Sequence, residues 1–272
     1  MTTTFDIVIV NSNTRYDLAR CLASIFDAPP RALQTVFVVD NASTDDSVAH
    51  VGALWPAVRV MGLAENRGFA AANNVGIRAA TAPLVLLLNS DTVVPPGALD
   101  TLAERLEATG AVAAGPLLVD AEGRPEVSFG PMLSPAAELV QRVRVRLAAS
   151  RGAFAGRYIA RLLSRERVVD WVSGGCLLVR HSAAVEAGLL DERYFLYEED
   201  VDFCAALRQR GGTVIFTPRA RVVHLRGRSV ARSGQPSTLH YDRSHLAFYE
   251  KHRPGWAPLL RLWMHARGRN VR

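Results

Sequence analysis

The sequence predicts an α/β protein: a Rossmann-like, mostly parallel central sheet flanked by helices, followed by a second half of shorter strands and helices. Three observations carry the α/β part of that expectation. Short runs of consecutive apolar residues recur in the N-terminal third, as strands buried on both faces require. Segments of helical periodicity separate them, which is the spacing of βαβ units. Each of three runs ends abruptly in a cluster of Asn, Asp or Ser.

Residues 5–10 (Phe-Asp-Ile-Val-Ile-Val) form the first β-branched run and give way to Asn11-Ser12-Asn13. Leu18, Cys21, Leu22 and Ile25 then share one helical face, and Pro29-Pro30 ends that helix. Val36–Val39 is the second strand, closed by Asp40-Asn41-Ala42-Ser43-Thr44-Asp45, a cluster that also offers caps for a helix over 45–54. Val58–Met61 is a short third strand, and Asn66-Arg67-Gly68 opens a helix running to about Ala80. Leu84–Leu88 is the fourth strand and stops at Asn89-Ser90-Asp91. In an open parallel sheet, ligands bind at the carboxyl ends of strands, so the clusters at Asn11, Asp40 and Asn89–Asp91 converge on one edge.

The middle of the chain differs. Two amphipathic helices are expected between Pro135 and Arg167, with Leu139, Val143 and Leu147 facing away from Arg142, Arg144 and Arg146, and Tyr158, Ile159, Leu162 and Leu163 away from Arg157, Arg161 and Arg165. Val168–Val179 reads as strand, glycine turn, strand. Phe195–Phe203 leads into a helix that Gly211-Gly212 stops, and Val214–Phe216 and Val222–His224 read as two more strands. Trp256, Leu259, Leu260 and Trp263 recur at helical spacing near the end.

Composition narrows the classes. With 49% hydrophobic and 21% charged residues over 272 positions, the chain is globular rather than disordered. Three dispersed cysteines, Cys21, Cys176 and Cys204, form no disulfide framework and point to a reducing compartment. The run Leu84–Leu88 is too short to cross a bilayer, and Met1–Asp6 lacks the basic region of a signal peptide.

The net charge of +6 hides an asymmetry. Residues 132–169 carry eight arginines against Glu138 and Glu166, and residues 219–272 carry eleven arginines and Lys251 against Asp242 and Glu250. The remainder holds 12 basic and 22 acidic residues. A basic protein can bind nucleic acid, but an acidic core with two basic segments fits a metal-using site flanked by surfaces for an anionic partner. The aromatics of the basic segments follow helical spacing instead of forming a base-stacking platform, so nucleic acid is not the expected partner.

The residues that carry chemistry start with Glu198, Glu199, Asp200 and Asp202. Such crowding at a helix start raises at least one carboxyl pKa or demands a cation, and suits a general base. Asp91, at the tip of an apolar strand, is a natural ligand for a hard cation, Mg²⁺ or Mn²⁺, that bridges a diphosphate. His224 is a candidate second ligand. No G-x-G-x-x-G follows the first strand, and the chain has no P-loop and no G-x-S-x-G elbow.

In order, Val8–Asn13, Val38–Asp45, Asn66–Ile77, Leu87–Asp91, Asp170–Gly175, Phe195–Asp202 and His224–Ser229 resemble the motifs of the family 2 nucleotide-sugar glycosyltransferases, specifically the rhamnosyltransferase-like branch. The resemblance spans residues 5–229 and implies a GT-A fold and an inverting transfer. It implies that Asn11, Asp40, Asn66, Gly68, Asn73, Asn89 and Asp91 bind the donor, a nucleoside diphosphate sugar for which dTDP-rhamnose is the candidate. It further implies Asp200 as base with Glu199 in support, and Asp91 with His224 as ligands of a divalent metal. Trp171, Gly174 and Gly175 would line the acceptor pocket. Asn89 stands where the family's Asp-x-Asp element has its first acid, and contributes no charge to the metal.

The expected division is 1–131 for the donor, 132–169 as an arginine-rich helical insertion, 170–230 for acceptor and catalysis, and 231–272 as a basic helical segment. Relatives with this signature extend glycans on polyprenyl diphosphates, so the expected acceptor is a glycan or such a lipid-linked sugar. Both basic segments would then meet an anionic membrane, at the inner face of the plasma membrane in a cytoplasmic setting. The weighed alternatives are a nucleic-acid binder and a degenerate protein that only holds nucleotide sugar.

Overall fold

A computed structural model describes residues 3–150, 152–225 and 237–269. The first strands are β1 (Phe5–Asn11), β2 (Leu33–Asp40), β3 (Arg59–Gly62) and β4 (Leu84–Asn89). They alternate with helices α1 (Arg15–Phe26), α2 (Ser47–Leu54) and α3 (Gly68–Ala79). All four strands pair in parallel, in the order β3-β2-β1-β4. Next in the chain come β5 (Thr92–Val93), α4 (Ala98–Thr109), β6 (Ala113–Val119) and β7 (Phe129–Gly130). The basic helices α5 (Pro135–Ala149) and α6 (Ala153–Leu163) follow, then β8 (Arg167–Val169), β9 (Trp171–Val172) and β10 (Cys176–Arg180). The last elements are α7 (His181–Glu186), α8 (Glu199–Gln209), β11 (Val214–His224), α9 (Ser237–His252) and α10 (Ala257–Ala266).

The main sheet runs on from β4 through β10, β6, β11 and β5, with β8 also on β11, while β7 and β9 form a separate ribbon. β10 lies antiparallel between β4 and β6, with Cys176 opposite Leu88 and Arg180 opposite Leu84. That reversal matters for the site. An antiparallel strand begins where its parallel neighbour ends, so the loop before Cys176 sits at the carboxyl edge beside Asn89. β11 runs parallel to β6 and brings His224 to the same edge, opposite Thr92.

Alternate residues of β1 serve opposite layers, as the pleat requires. Ile7 and Ile9 pack with Leu18, Leu22 and Ile25 of α1 and Leu102 of α4, whereas Val8 and Val10 face Ala72 and Ile77 of α3 and Phe203 of α8. Burying each large aliphatic contributes about 1.5–3 kcal/mol. A smaller cluster, with Leu133, Tyr194, Val201, Phe248 and Tyr249, joins α8 to α9.

Two expectations are corrected. Val214–Phe216 and Val222–His224 are one strand: the register jumps between Thr217 and Arg221, where Pro218 falls in a bulge and needs no ladder hydrogen bond. The apolar stripe of α5 does not face the core. Leu139 is 65% exposed and Val143 is also exposed, while only Leu147 packs inward. Polar anchors set the rotation of that helix instead: Gln141 Nε2 donates to the Phe129 carbonyl, and Glu138 faces α9. In α6, Ile159 and Leu163 are buried as expected, but Tyr158 is 40% exposed. Of the motif His224–Ser229, Arg226 to Ser229 lie outside the described residues.

Candidate active site

The carboxyl edge is tied together by short polar side chains. Asn11, fully buried at the end of β1, donates through Nδ2 to Asp40 Oδ1 at 2.7 Å and to Ser43 Oγ at 3.0 Å. Its Oδ1 accepts from Thr14 Oγ1, which also meets Ser90 Oγ at 2.9 Å. One chain of hydrogen bonds therefore runs from β4 across β1 to β2. The second oxygen of Asp40 accepts from the Ser43 N–H, so this carboxylate is fixed and almost fully buried. Asn66 reaches the same edge, where its Oδ1 accepts from Asn41 Nδ2 at 2.8 Å and its Nδ2 donates to Ser12.

Gly68 and Asn73 stand differently. Gly68 has φ +83°, and a Cβ there would come within 2.5 Å of the Phe195 carbonyl oxygen. The glycine is required by a backbone-to-backbone approach, sealed by the Phe69 N–H donating to that carbonyl at 2.7 Å. Asn73 is buried and donates to the Phe69 carbonyl of its own helix. Gly68 thus joins α3 to the 195 segment, whereas Asn73 bonds only within α3.

Asp91 and His224 meet at the sheet edge. His224 Nε2 lies 3.3 Å from Asp91 Oδ1 and 3.3 Å from Asn89 Nδ2, and Nδ1 lies 3.6 Å from Glu126 Oε2. Burial works against the imidazolium, but Asp91 and Glu126 override it and push the His224 pKa up to about 9. Glu126 had no signal in the sequence, because it is a lone acid in an irregular stretch that only the fold carries to His224. The Oδ1 of Asn89 is buried and has no hydrogen-bond partner among the described residues. A carboxylate, an imidazole and an unanswered amide oxygen suit a divalent cation that takes its other ligands from a diphosphate. Among the described residues, no group of three or more His, Cys, Asp or Glu is placed to hold a metal ion by itself.

Asp200 stands in the first turn of α8. Its Oδ2 accepts from the Gly174 N–H at 2.7 Å and its Oδ1 from the Val201 N–H at 2.8 Å. Burial raises its pKa, the Gly174 amide opposes that, and the charge of Glu198 adds to the rise, leaving it at about 6. Glu199 is buried more deeply and is raised well above the usual carboxylate range by burial and by Asp200. Burial and mutual repulsion thus work against ionising both carboxyl groups together.

The glycine loop joins the two groups. A Cβ on Gly174 would lie 3.2 Å from Asp200 Cβ, and one on Gly175 3.3 Å from His224 Cε1. The Asn89 N–H donates to the Gly175 carbonyl at 3.0 Å. Base candidate, metal candidate and strand edge are therefore held on two consecutive residues without side chains. Trp171 stands farther out, its indole Nε1 donating to the Pro131 carbonyl at 2.9 Å, and its ring walls the β7–β9 ribbon.

A further polar network, without any local signature in the sequence, stands behind Asp200. Tyr197 and Glu198 both adopt left-handed backbone, at φ 72° and 65°, which costs about 1–2 kcal/mol per non-glycine residue. Glu198 is buried and paired with His245 Nδ1 at 3.1 Å, and His245 Nε2 lies 3.4 Å from Glu138 of α5. Tyr249 donates its hydroxyl to Glu138.

Residues 6–158 match the family described as Glycosyl transferase family 2. The chain is 32% identical over 282 aligned residues to the N-acetylglucosaminyl-diphospho-decaprenol L-rhamnosyltransferase of Mycobacterium tuberculosis (strain ATCC 25618 / H37Rv), covering 95% of this chain and 89% of that one. A shorter match, 37% identical over 59 residues, covers 22% of this chain and 22% of the rhamnosyltransferase WbbL of Escherichia coli (strain K12). Among solved structures, GalNAc-T7 with UDP, GalNAc and Mn²⁺ superposes with a TM-score of 0.67 at 17% identity, over 91% of this chain and 48% of that one. The mannosyltransferase PcManGT from Pyrobaculum calidifontis, in complex with GDP-Man and Mn²⁺, superposes with a TM-score of 0.62 at 16% identity, over 96% and 68% of the two chains. The chain thus spans about half of the first of these structures, and the likeness to both is one of fold: GT-A.

Proposed function

The chain belongs to glycosyl transferase family 2, and from that premise we propose that it is a metal-assisted, inverting rhamnosyltransferase. Its donor would be a nucleoside diphosphate sugar, with dTDP-rhamnose the first candidate. Its acceptor would be a sugar carried on a polyprenyl diphosphate, in cell-wall or cell-surface polysaccharide synthesis. The name of the mycobacterial relative supports the rhamnose and the polyprenyl diphosphate carrier. Residues 1–131 would hold the donor and 170–230 the acceptor and base, flanked by the basic segments 132–169 and 231–272.

One observation carries the mechanism: the Gly174-Gly175 backbone touches Asp200 on one side and Asn89 and His224 on the other. Asp200 takes the proton of the acceptor hydroxyl as its oxygen bonds to the anomeric carbon, and the bond from that carbon to the diphosphate oxygen breaks. A single displacement inverts the centre. Glu199, buried beside it and with its pKa raised well above the usual carboxylate range by burial and by Asp200, supports Asp200 in that role. Asp40 and Asn66 orient the nucleoside, while Asn89 offers an amide in place of a second acid. A divalent ion, Mg²⁺ or Mn²⁺, would be held by Asp91 and His224 and, when bound, neutralises the leaving diphosphate.

The basic segments support work at an anionic membrane, at the inner face of the plasma membrane. No helix among the described residues is long and apolar enough to cross one. Exposed Leu139, Val143 and Phe154 lie among arginines on α5 and α6, and exposed Leu259, Leu262 and Trp263 surround Arg261 on α10.

Asp200→Asn tests the assignment, because it keeps the side chain's shape and removes the base, its one amide oxygen still able to accept from either the Gly174 or the Val201 N–H. Transfer should fall by at least about 10³-fold while donor affinity by calorimetry stays within about twofold. Equal losses of binding and turnover would remove Asp200 from the role of base.

A further inference from the structure

The segment that carries Asp200 is gripped by one face of α9. His240 stacks on Phe195 at 4.7 Å between ring centres, and Tyr241 meets Tyr197 edge-on at 5.9 Å. Ser244 Oγ donates to the Leu196 carbonyl at 2.8 Å, and His245 Nδ1 stands 3.1 Å from Glu198 Oε1. Tyr241, Ser244 and His245 follow one helical stripe, at i, i+3 and i+4. Four successive residues of the 195 segment are therefore held from the same helix.

The grip explains a conformation that the turn would not choose for itself. Neither tyrosine nor glutamate favours positive φ, and two such residues in succession persist only where their surroundings over-determine them. The surroundings here are a buried carboxylate answered by an imidazole and a carbonyl answered by a hydroxyl. If Glu198 returned to negative φ, the first turn of α8 would reorient, and Asp200 would leave the Gly174 N–H.

Resting on the assignment of Asp200 as base, we infer that His245, assisted by Ser244, is a positioning residue: it locks the Tyr197–Glu198 turn in its left-handed form and so fixes where Asp200 stands.

The groups facing His245 are Glu198 from the turn, Glu138 from α5, and Tyr241 and Tyr249 from α9 itself, with Arg142 behind Glu138. Burial disfavours the imidazolium, yet the two glutamates push its pKa up to about 9, so it is a cation donating in two directions at neutral pH. Glu198 also raises the Asp200 pKa. Without the cation, the Glu198 charge acts on Asp200 uncompensated.

His245→Gln in the full chain is the test. The expected result is a fall in kcat of about 10²-fold, as for a misplacement near 1 Å, with donor affinity within about twofold and the acid limb of kcat/KM moved to higher pH. A parental kcat and an unmoved limb in folded His245→Gln would overturn the inference. So would a loss of donor affinity in step with kcat and no movement of the limb, which marks a merely structural residue. Ser244→Ala, which removes the Leu196 clamp alone, should lower kcat several-fold; should His245→Gln not fold, a parental kcat in Ser244→Ala overturns the inference. Asp200→Asn separates the two claims. If it retains turnover, the base assignment fails and this inference with it; if it is inactive while His245→Gln is unaffected, only the inference fails.

Discussion

At the scale of single residues, two adjacent carboxyl groups sit in different surroundings. Asp200 keeps two amide donors and has its pKa raised to about 6, whereas Glu199, more deeply buried beside it, is raised well above the usual carboxylate range by burial and by the Asp200 charge. A base must be ionised to act, so kcat/KM should rise with pH, with unit slope, through about 6 and then level. A pH profile under low donor concentration checks this, because kcat/KM reports the free enzyme. A limb near 4 would mean that the Gly174 amide outweighs burial. Asp91, Asp200 and His224 were legible in the sequence because each ends a strand or opens a helix at the ligand-binding edge. Glu126, Glu138 and His245 were not: single acids and a mid-helix histidine carry no local signature, and only the bulged β11 and the docking of α9 on α5 bring them together.

At the scale of elements, the parallel half was readable because burial on both faces of its central strands leaves few polar positions, such as Asp6, to confuse the pattern. The second half was harder for two physical reasons. Pro218-Arg219-Ala220-Arg221 looks like a break between strands, and the sheet absorbs it as a bulge. In α5 the apolar stripe suggested the wrong inward face, because Glu138 and Gln141 fix the helix more strongly than a few exposed aliphatics would. The start of α3 is a joint between the two halves, and a glycine pair tests it. Gly68→Ala combines a left-handed backbone with a clash against the Phe195 backbone, and should destabilise by about 2–4 kcal/mol. Gly52→Ala, exposed within α2 with nothing within 4 Å of the added methyl, should be stabilising by up to about 1 kcal/mol. Urea unfolding at constant m-value measures both. A neutral Gly68→Ala would mean that the 195 segment moves away from α3 at little cost.

At the scale of the molecule, the charge is divided as the chemistry is. The acids gather along the sheet edge and in α8, where amides, turns and a cation can answer them. The arginines lie on α5, α6 and the C-terminal helices, around apolar side chains that the fold leaves in water: Phe154 is 76% exposed and Leu262 65%. On α10 the stacking is internal, with Arg267 and Arg269 over the Trp263 ring at 4.5 and 5.6 Å. If the proposed membrane contact forms here, a headgroup phosphate would draw those guanidinium groups outward while the ring enters the interface, so lipid would compete with a contact already made instead of simply adding one. Binding should then need both charge and apolar burial. Vesicles containing phosphatidylglycerol should co-sediment the protein at low salt, pure phosphatidylcholine vesicles should not, and raised salt should weaken the association without abolishing it. Trp263→Ala should reduce binding about as much as removing one or two arginines, at roughly 1 kcal/mol each, while transfer to a short water-soluble acceptor is unchanged. Pelleting that vanishes fully at high salt and ignores Trp263→Ala would reduce the surface to a purely electrostatic one, with its apolar residues left for a different partner.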